Sequence, residues 1–341
     1  MTDDRAPIAV WYEHPRWFRP LFDELERRGL PHERIRADEH AFDPSGGGGD
    51  PGFALLLNRM SPSAHLRGHG AAVAQTLAYL EHLGRLDVRI VNGPRAFRTE
   101  ISKARQVDLL DALGIPHPAT RVVDRPGRAP AAARELRWPV VVKPNRGGSG
   151  AGVRRFDEPA ELRAAAEADE LELGPDGVGL VQEFVPARGG HIVRVEVLGG
   201  EVLYAIRVHL DGETFDLCPA DICRTADGEE LEPDTAAPGA AETGLSVEAF
   251  EPPPPAARDA VRIARAAGVE VGGVEYLVDD RDGTRRFYDV NALSNFVAEP
   301  ERVLGFDPFE RLVDWLAAEA WGEAAAAEAA DGPVSTGRGS R

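Results

Sequence analysis

Three features are scarce in this 341-residue sequence, and each shortage excludes a class of protein. Its two cysteines, Cys218 and Cys223, are too few for a disulfide framework, which favours a reducing compartment and predicts a cytoplasmic protein. No apolar run approaches the ~20 residues of a membrane-spanning helix, and the acidic N-terminus lacks the apolar stretch of a secretory signal. Positively charged residues are also scarce: the sequence has 39 Lys and Arg against 57 Asp and Glu, which argues against a nucleic-acid partner.

Lysine is the rarest charged residue. Only Lys103 and Lys143 occur, so 37 of the 39 basic residues are arginines. The lysine ammonium is a compact point charge, whereas the arginine guanidinium is a wide planar group. In a chain so rich in arginine, a lysine can mark a position where a guanidinium does not fit; the alternative is survival by chance.

What is present is typical of a globular α/β protein, with 43% hydrophobic and 28% charged residues and a length that predicts about two domains. Strands and helices alternate over the first ~95 residues, which predicts a doubly wound parallel sheet. The predicted strands there are residues 7–12, 53–57 and 88–91, and the predicted helices are 17–25 and 71–83, the second ending at Gly84.

The rest of the chain is predicted as a mixture of helices and clustered strands. The predicted helices are residues 98–113, 131–136, 159–168, 256–267 and 308–320. The predicted strands are 119–123, 140–143, 180–185, 192–198 and 202–210, with a further pair after residue 271. The polar segment 211–255 is long for a connection, so we expect it to be either functional or disordered.

A glycine-rich loop follows a buried strand that ends in Lys143. The loop contains Gly147, Gly148, Ser149, Gly150 and Gly152. Glycine allows backbone N–H groups to turn towards an anion, and the lysine adds a point charge. The lysine precedes the glycines, so this is not a P-loop. Phosphate binding and a plain hairpin turn remain the two interpretations.

Two arginines occupy a predicted hairpin whose turn is Gly199-Gly200. If Leu198 pairs with Glu201, Arg194 lies opposite Ala205 and Arg207 lies opposite Ile192. Both guanidinium groups would then share one face, where an anion between them would relieve their repulsion. The alternative is a solvated face on which Glu196 is their partner.

Oxygen donors occupy a second predicted hairpin near the C-terminus. A three-residue loop, 281–283, would place Glu275 directly opposite Asp289, with Asn291 on the same face and Tyr276 opposite Tyr288 on the other. Two opposed carboxylates repel unless a cation lies between them. Carboxylate and amide oxygens are ligands that Mg²⁺ accepts beside substrate phosphates, although acids on strands are more often simply solvated.

In this order, the motifs resemble those of the ATP-grasp superfamily, in particular its RimK-type and LysX-type ligases, over about residues 92–309. The matching segments are Lys103 with residues 114–120, Lys143 with residues 147–152, residues 182–184 at the adenine hinge, and Asp289 with Asn291. Where that group often has Asp on the first strand and Glu on the second, this sequence has Glu275 and Asp289.

The resemblance implies an α/β fold in which two α+β lobes close on ATP after a Rossmann-like pre-grasp domain. We therefore expect a pre-grasp domain at residues 1–95 and an ATP-grasp domain at 96–320. Within the latter we expect a small ATP lobe at about 115–185 and a C-terminal lobe at about 186–320, with 211–255 as an insertion. Residues 321–341 are expected to form a flexible tail.

The resemblance also implies an enzyme that joins a carboxylate to an amine through an acyl phosphate, releasing ADP and phosphate. ATP would be held by Lys103, Lys143, Gly147, Gly148, Ser149, Gly150, Gly152, Gln182, Glu183, Phe184 and Val185. Arg194 and Arg207 would be catalytic, and Glu275, Asp289 and Asn291 would hold Mg²⁺, for which Mn²⁺ could substitute. The expected substrates are small-molecule, peptide or carrier-bound carboxylates and amines. The alternatives are a nucleotide-binding scaffold without ligase activity and a kinase that stops at phosphoryl transfer.

Overall fold

A computed structural model describes residues 5–14, 16–45, 51–148, 150–210 and 246–323. Ser149, Cys218, Cys223, the rest of segment 211–245 and the tail from residue 324 lie outside these ranges. Within them, three separate β-sheets are formed, and no helix is long and apolar enough to cross a bilayer.

The N-terminal sheet is parallel. It contains β1 (Ile8–Tyr12), β2 (His32–Arg36), β3 (Leu55–Arg59) and β4 (Ile90–Val91), in the order β2-β1-β3-β4. Its helices are α1 (Arg19–Arg27) and α2 (Gly70–Arg85). Every residue of β1 and β3 is buried, as expected for parallel strands covered on both faces.

Two details of this region differ from the sequence prediction. Strand β2 was not predicted, because its sequence His-Glu-Arg-Ile-Arg has one buried apolar residue, Ile35, and no clear alternation. Helix α2 continues one residue past Gly84, to Arg85, and the Leu86 N–H closes it by donating to the Leu83 carbonyl at 3.0 Å.

The small sheet is antiparallel, with strands in the order β5-β8-β6-β7. These strands are β5 (Thr120–Val123), β6 (Val140–Pro144), β7 (Arg154–Phe156) and β8 (Gly179–Glu183), and α5 (Ala129–Ala132) and α6 (Pro159–Glu167) pack on them. The predicted helix 98–113 is in fact two helices, α3 (Pro94–Glu100) and α4 (Lys103–Ala112). The Ser102 hydroxyl caps the second by accepting from the Arg105 N–H, so Lys103 is the first residue of α4.

The large sheet is antiparallel, in the order β11-β10-β9-β12-β13. These strands are β9 (His191–Leu198), β10 (Glu201–His209), β11 (Val247–Ala249), β12 (Val271–Val278) and β13 (Arg285–Asn291). Helix α7 (Pro254–Ala267) covers one face. The other face shares a hydrophobic core with the N-terminal sheet and α9 (Pro308–Trp321), which follows the short α8 (Pro300–Leu304). Strand β11 and the start of α7 lie where the sequence predicted an irregular segment.

A β-bulge in β10 overturns the predicted position of Arg207. Leu198 pairs with Glu201 as expected, but the register shifts at Leu203. Arg194 therefore lies opposite Ile206 instead of Ala205, and Arg207 lies opposite Val193 instead of Ile192. The prediction that the two arginines share a face is wrong, because one extra residue reverses the alternation of all side chains beyond it.

The second hairpin reaches its predicted alignment through a different geometry. Glu275 pairs with Asp289, as predicted. The turn has one residue more than predicted, since the Asp279 N–H donates to the Thr284 carbonyl, 2.8 Å away. A bulge at Tyr288 compensates, so Tyr276 lies opposite Phe287 and the predicted Tyr276–Tyr288 pair is wrong.

Candidate functional site

Three charged side chains lie side by side across the large sheet. Arg194 of β9 is paired in register with Glu275 of β12, which is paired with Asp289 of β13. We call these three residues the charge row. Arg194 and Glu275 are both buried, and Arg194 Nη1 donates to Glu275 Oε1 at 3.0 Å. The row continues to Lys103, whose ammonium forms an ion pair with Asp289.

Asn145 holds the two lysines at the same end of this row. It follows β6, two residues after Lys143, and its carbonyl accepts from the Lys103 N–H at 3.0 Å. Its side-chain oxygen accepts from the Ala104 N–H at 2.9 Å. The start of α4 is thereby fixed to the end of β6. No role was predicted for Asn145 from the sequence, although it stands between Lys143 and the glycines.

The two ammonium groups have opposite electrostatic environments. Burial lowers the pKa of Lys103, but the adjacent Asp289 carboxylate outweighs burial and the net pKa is raised. Burial, reinforced by the charge of Lys103, lowers the pKa of Lys143 to about 8. No described residue forms an ion pair with Lys143. It is therefore a buried cation for which a phosphate would supply the missing counter-charge.

The carboxylates of the charge row also differ. Burial raises the pKa of Glu275, and its Oε2 accepts from the Tyr288 hydroxyl at 2.9 Å. Burial alone would raise the pKa of Asp289, but Lys103 holds the net value below its usual range. The bulge at Tyr288 thus brings the hydroxyl of this residue to the site, whereas the sequence predicted Tyr288 on the opposite face of the sheet.

The donor set of Glu275, Asp289 and Asn291 fits a hard divalent cation. Two carboxylates and one amide lie on adjacent strands of one face, and Asn291 Nδ2 is 3.4 Å from Glu275 Oε1. Among the described residues, no group of three or more His, Cys, Asp and Glu side chains forms a metal cluster. A cation held here would therefore need further oxygen ligands, which phosphates and water provide for Mg²⁺.

Arg194 is held rigidly by residues that the sequence analysis had not assigned to the site. Its Nε donates to Glu196 Oε1 at 2.6 Å, and its Nη2 donates to Ser294 Oγ at 3.1 Å. A Cβ at Gly273 would lie 2.7 Å from Arg194 Nε and 2.9 Å from Glu196 Oε1. A side chain at this position would displace the ion pair, which is a reason for glycine inside a central strand.

Arg207 is not brought to the charge row. It lies on the opposite face of the sheet, where its Nη1 donates to Glu248 Oε1 at 3.0 Å and its guanidinium lies 4.0 Å from the centre of the Phe250 ring. Its side chain remains 36% exposed. Of the two arginines predicted to flank one anion, only Arg194 therefore lies in the charge row.

The glycine-rich loop lies between β6 and β7, and it contacts the N-terminal sheet region. Gly150 and Gly152 have φ values of +69° and +73°, a conformation that side chains other than glycine rarely adopt. A Cβ at Gly148 would lie 3.2 Å from the Ser63 Cβ. Gly147 belongs to the same loop, and Ser149 lies outside the described residues.

The predicted adenine hinge, Gln182 to Val185, is firmly anchored. Gln182 Nε2 donates to Thr120 Oγ1 at 2.8 Å, and the backbone N–H groups of Glu183 and Phe184 donate to the Ala119 and Pro139 carbonyls, each at 2.9 Å. The Arg155 guanidinium lies over the Phe184 ring, and Val185 is buried. The Gln182 side chain is therefore occupied by an internal contact.

Comparison with known proteins identifies relatives of this chain. Residues 101–217 match the family model of the RimK-like ATP-grasp domain. A D-alanine–D-alanine ligase of Nitrosospira multiformis is 29% identical over 200 residues, which cover 58% of this chain and 59% of that protein. A probable alpha-L-glutamate ligase of Rhodopirellula baltica is 26% identical over 276 residues, covering 79% of this chain and 61% of that protein. The chain thus spans about three fifths of the length of these curated relatives.

A solved structure confirms the fold. The ATP-grasp ligase PsnB, complexed with a phosphomimetic variant of its minimal precursor, Mg and ADP, superposes with a TM-score of 0.65. The superposition covers 93% of this chain and 100% of that chain at 20% sequence identity. The predicted architecture is therefore correct.

Proposed function

We propose that this protein is an ATP-dependent ligase that joins a carboxylate to an amine, because it has an ATP-grasp fold and residues 101–217 match the RimK-like ATP-grasp domain. The observation that carries the proposal is the charge row of Arg194, Glu275 and Asp289. Lys103 is paired at its end, and Lys143 lies nearby without an ion-pair partner among the described residues. This row offers cations for phosphates and oxygen donors for a metal within one buried surface.

ATP phosphates would bind to Lys143, Lys103 and the backbone of the glycine-rich loop. Lys143 is suited to this because its charge is buried and lacks an ion-pair partner among the described residues. The hinge, Gln182 to Val185, would meet the adenine edge through backbone groups other than the Glu183 and Phe184 N–H groups, which already have internal partners. We place the small ATP lobe at about residues 115–185, the C-terminal lobe at 186–320, and a substrate-binding pre-grasp domain at 1–95.

Glu275, Asp289 and Asn291 would hold Mg²⁺, with Mn²⁺ as a substitute. The chemistry that the cation supplies when bound is neutralisation of charge on the transferring phosphate. Ser294, Glu196 and Tyr288 orient the side chains around it, since they fix Arg194 and Glu275 through direct hydrogen bonds.

The reaction would proceed in two transfers. A carboxylate oxygen of the substrate attacks the γ-phosphorus, the bond to the β-phosphate oxygen breaks, and ADP leaves. The amine nitrogen then attacks the acyl carbon, loses a proton, and expels phosphate. Arg194 would stabilise negative charge in both steps, and catalysis would come from positioning and charge neutralisation.

Amino acids and peptides are the substrate class that we favour. The names of the relatives refer to D-alanine and L-glutamate, and PsnB was solved with a precursor. The scarcity of cysteine supports a cytoplasmic setting.

A hydroxamate assay tests the ligase proposal. The protein is incubated with ATP, Mg²⁺, hydroxylamine and a pool of amino acids and short peptides, while ADP and hydroxamate are measured. We expect both products to appear only with the pool, because hydroxylamine captures an acyl phosphate. ADP without hydroxamate would favour the kinase, and absence of both would contradict the proposal.

A matched pair of variants controls this assay. Asp289→Asn removes a carboxylate of the charge row and should abolish Mg²⁺-dependent ADP formation. Asp282→Asn changes an Asp in the turn of the same hairpin, where its carboxylate accepts from the Thr284 N–H at 2.7 Å. That variant should retain activity.

A further inference from the structure

Arg59 is a buried cation that the mechanism above does not use. It ends β3, is 1% exposed, and lies 5.4 Å from the centre of the Phe18 ring. Its Nη1 donates to the Ala292 carbonyl at 3.4 Å, and its Nε has no hydrogen-bond partner among the described residues. Burial lowers its pKa to about 10, so it stays charged at neutral pH.

Such an arrangement is costly in the absence of a partner. A guanidinium carries five N–H donors, and buried charged groups are normally paired and hydrogen-bonded. Arg34 of β2 shows the ordinary alternative: it also lies over a phenylalanine ring, Phe22, but it is partly exposed and forms an ion pair with Glu26.

The contact with Ala292 places Arg59 beside the candidate metal ligands. Ala292 directly follows Asn291, and its N–H donates to the Glu100 carboxylate. After burial, the charges that act on the pKa of Arg59 are Glu196, Glu100 and Arg194. Arg59 therefore lies where the N-terminal sheet meets the end of β13.

Neither nearby acid forms an ion pair with Arg59: the Glu100 carboxylate accepts from the Ala292 N–H instead. Glu196 Oε1 already accepts from Arg194 Nε at 2.6 Å and from the Ser294 hydroxyl at 2.8 Å. Glu196 Oε2 is buried and has no partner among the described residues. Among the described residues, a donor on Arg59 and an acceptor on Glu196 thus remain without partners.

We propose that Arg59 binds the substrate carboxylate that receives the phosphoryl group. This inference rests on the proposed ligase function and names the residue that holds its acceptor substrate. A guanidinium matches a carboxylate through two parallel hydrogen bonds, and the two lysines are already proposed to bind the phosphates. The N-terminal domain would then supply a binding residue for the acceptor.

A thermal-shift titration tests this binding without relying on catalysis. Wild type, Arg59→Met and Arg34→Met are melted with L-glutamate or acetate, with sodium chloride of equal ionic strength, and with inorganic phosphate. We expect at least one carboxylate to raise the melting temperature of wild type and Arg34→Met but not of Arg59→Met. Inorganic phosphate should stabilise all three proteins equally, because the lysines are intact.

Arg59→Lys covers the case in which Arg59→Met fails to fold. It retains the charge but cannot make two parallel hydrogen bonds, so the carboxylate-dependent shift should fall by at least half. With a carboxylate identified in the hydroxamate assay, its KM should rise about tenfold or more in Arg59→Lys, while the KM for ATP changes less than about twofold.

The outcomes separate this inference from the ligase proposal. A carboxylate shift that depends on Arg59, without ADP formation, would support the binding site and contradict ligation. If neither carboxylate shifts the wild type, or if Arg59→Met and Arg59→Lys keep the full shift, Arg59 is a structural cation and the inference is overturned. Loss of the phosphate shift in Arg59→Met would instead assign Arg59 to the phosphates and would equally overturn it.

Discussion

At the scale of single residues, the two lysines carry the most information. In a chain with 37 arginines, both lysines reach the same end of the charge row, one paired with Asp289 and the other without an ion-pair partner among the described residues. A guanidinium at position 143 would keep the charge but would need more space beside the glycine-rich loop. The two lysines of the sequence therefore occupy the same part of the candidate site.

Lys143 predicts a specific pH dependence of ATP binding. Its pKa of about 8 means that the ammonium is protonated below pH 8 and neutral above it. The Kd for ATP should therefore rise as the pH increases through 8, whereas Lys103, with a raised pKa, stays charged. Titration calorimetry between pH 6.5 and 9.5 measures this, since the range extends about 1.5 pH units on each side of the pKa of Lys143.

Lys143→Arg serves as the comparison. It should bind ATP weakly at every pH and should lose the inflection near pH 8, with an unchanged far-UV circular dichroism spectrum. Near-normal ATP affinity in this variant, or a flat profile in the wild type, would argue against Lys143 as a phosphate ligand.

At the scale of elements, two β-bulges determine which side chains face the site. The bulge at Leu203 turns Arg207 to the far face, and the bulge at Tyr288 brings its hydroxyl to Glu275. In both strands, one inserted residue changes the sheet face on which the side chains beyond it lie. The two arginines of the β9–β10 hairpin should consequently differ in function.

Paired substitutions test this difference. Arg194→Gln removes the cation of the charge row and should lower ADP formation by about 100-fold, as expected for loss of one preorganised donor. Arg207→Gln should stay within about twofold of wild type, since its partners are Glu248 and Phe250. Melting curves of both variants check folding. Equal losses of activity in the two variants would contradict the register described above.

At the scale of the whole molecule, Asn92, which follows β4, links the N-terminal sheet to the large sheet. Its fully buried side chain accepts from the Glu270 and Val271 N–H groups at 2.9 and 3.2 Å. It also donates to the Val271 and Ala292 carbonyls at 2.6 and 2.7 Å. The shared hydrophobic core between these parts adds apolar burial to this polar connection.

Asn92→Ala should destabilise the protein by about 3 kcal/mol or more, because several buried backbone groups lose their partners at once. Urea unfolding measures this. Asp87→Ala is the matched control, since Asp87 also has a positive φ, +55° against +54°, but is exposed. If both variants lose equal stability, the backbone conformation and not the hydrogen bonds is responsible.

The sequence by itself determined the local elements and the chemical inventory of the site. Hydrophobic periodicity and glycine or proline punctuation depend on neighbours in the chain, so β1, β3, α7 and α9 were predicted close to their observed bounds. The alignment of Glu275 with Asp289 was also predicted, although the turn and the bulge differ from the prediction and compensate for each other. The residue types proposed to hold ATP followed from the order of the motifs.

Only the tertiary structure decided which of these residues meet. Arg59 lies in the N-terminal sheet, and the carbonyl that it contacts is 233 positions further along the chain. Neither this contact nor the burial of Arg59 leaves a local pattern. Likewise, the faces of Arg194 and Arg207 depended on a bulge that the Gly199-Gly200 turn does not encode. The physical reason is that conformation is set by sequence neighbours, whereas register, burial and charge pairing are set by distant segments packed against them.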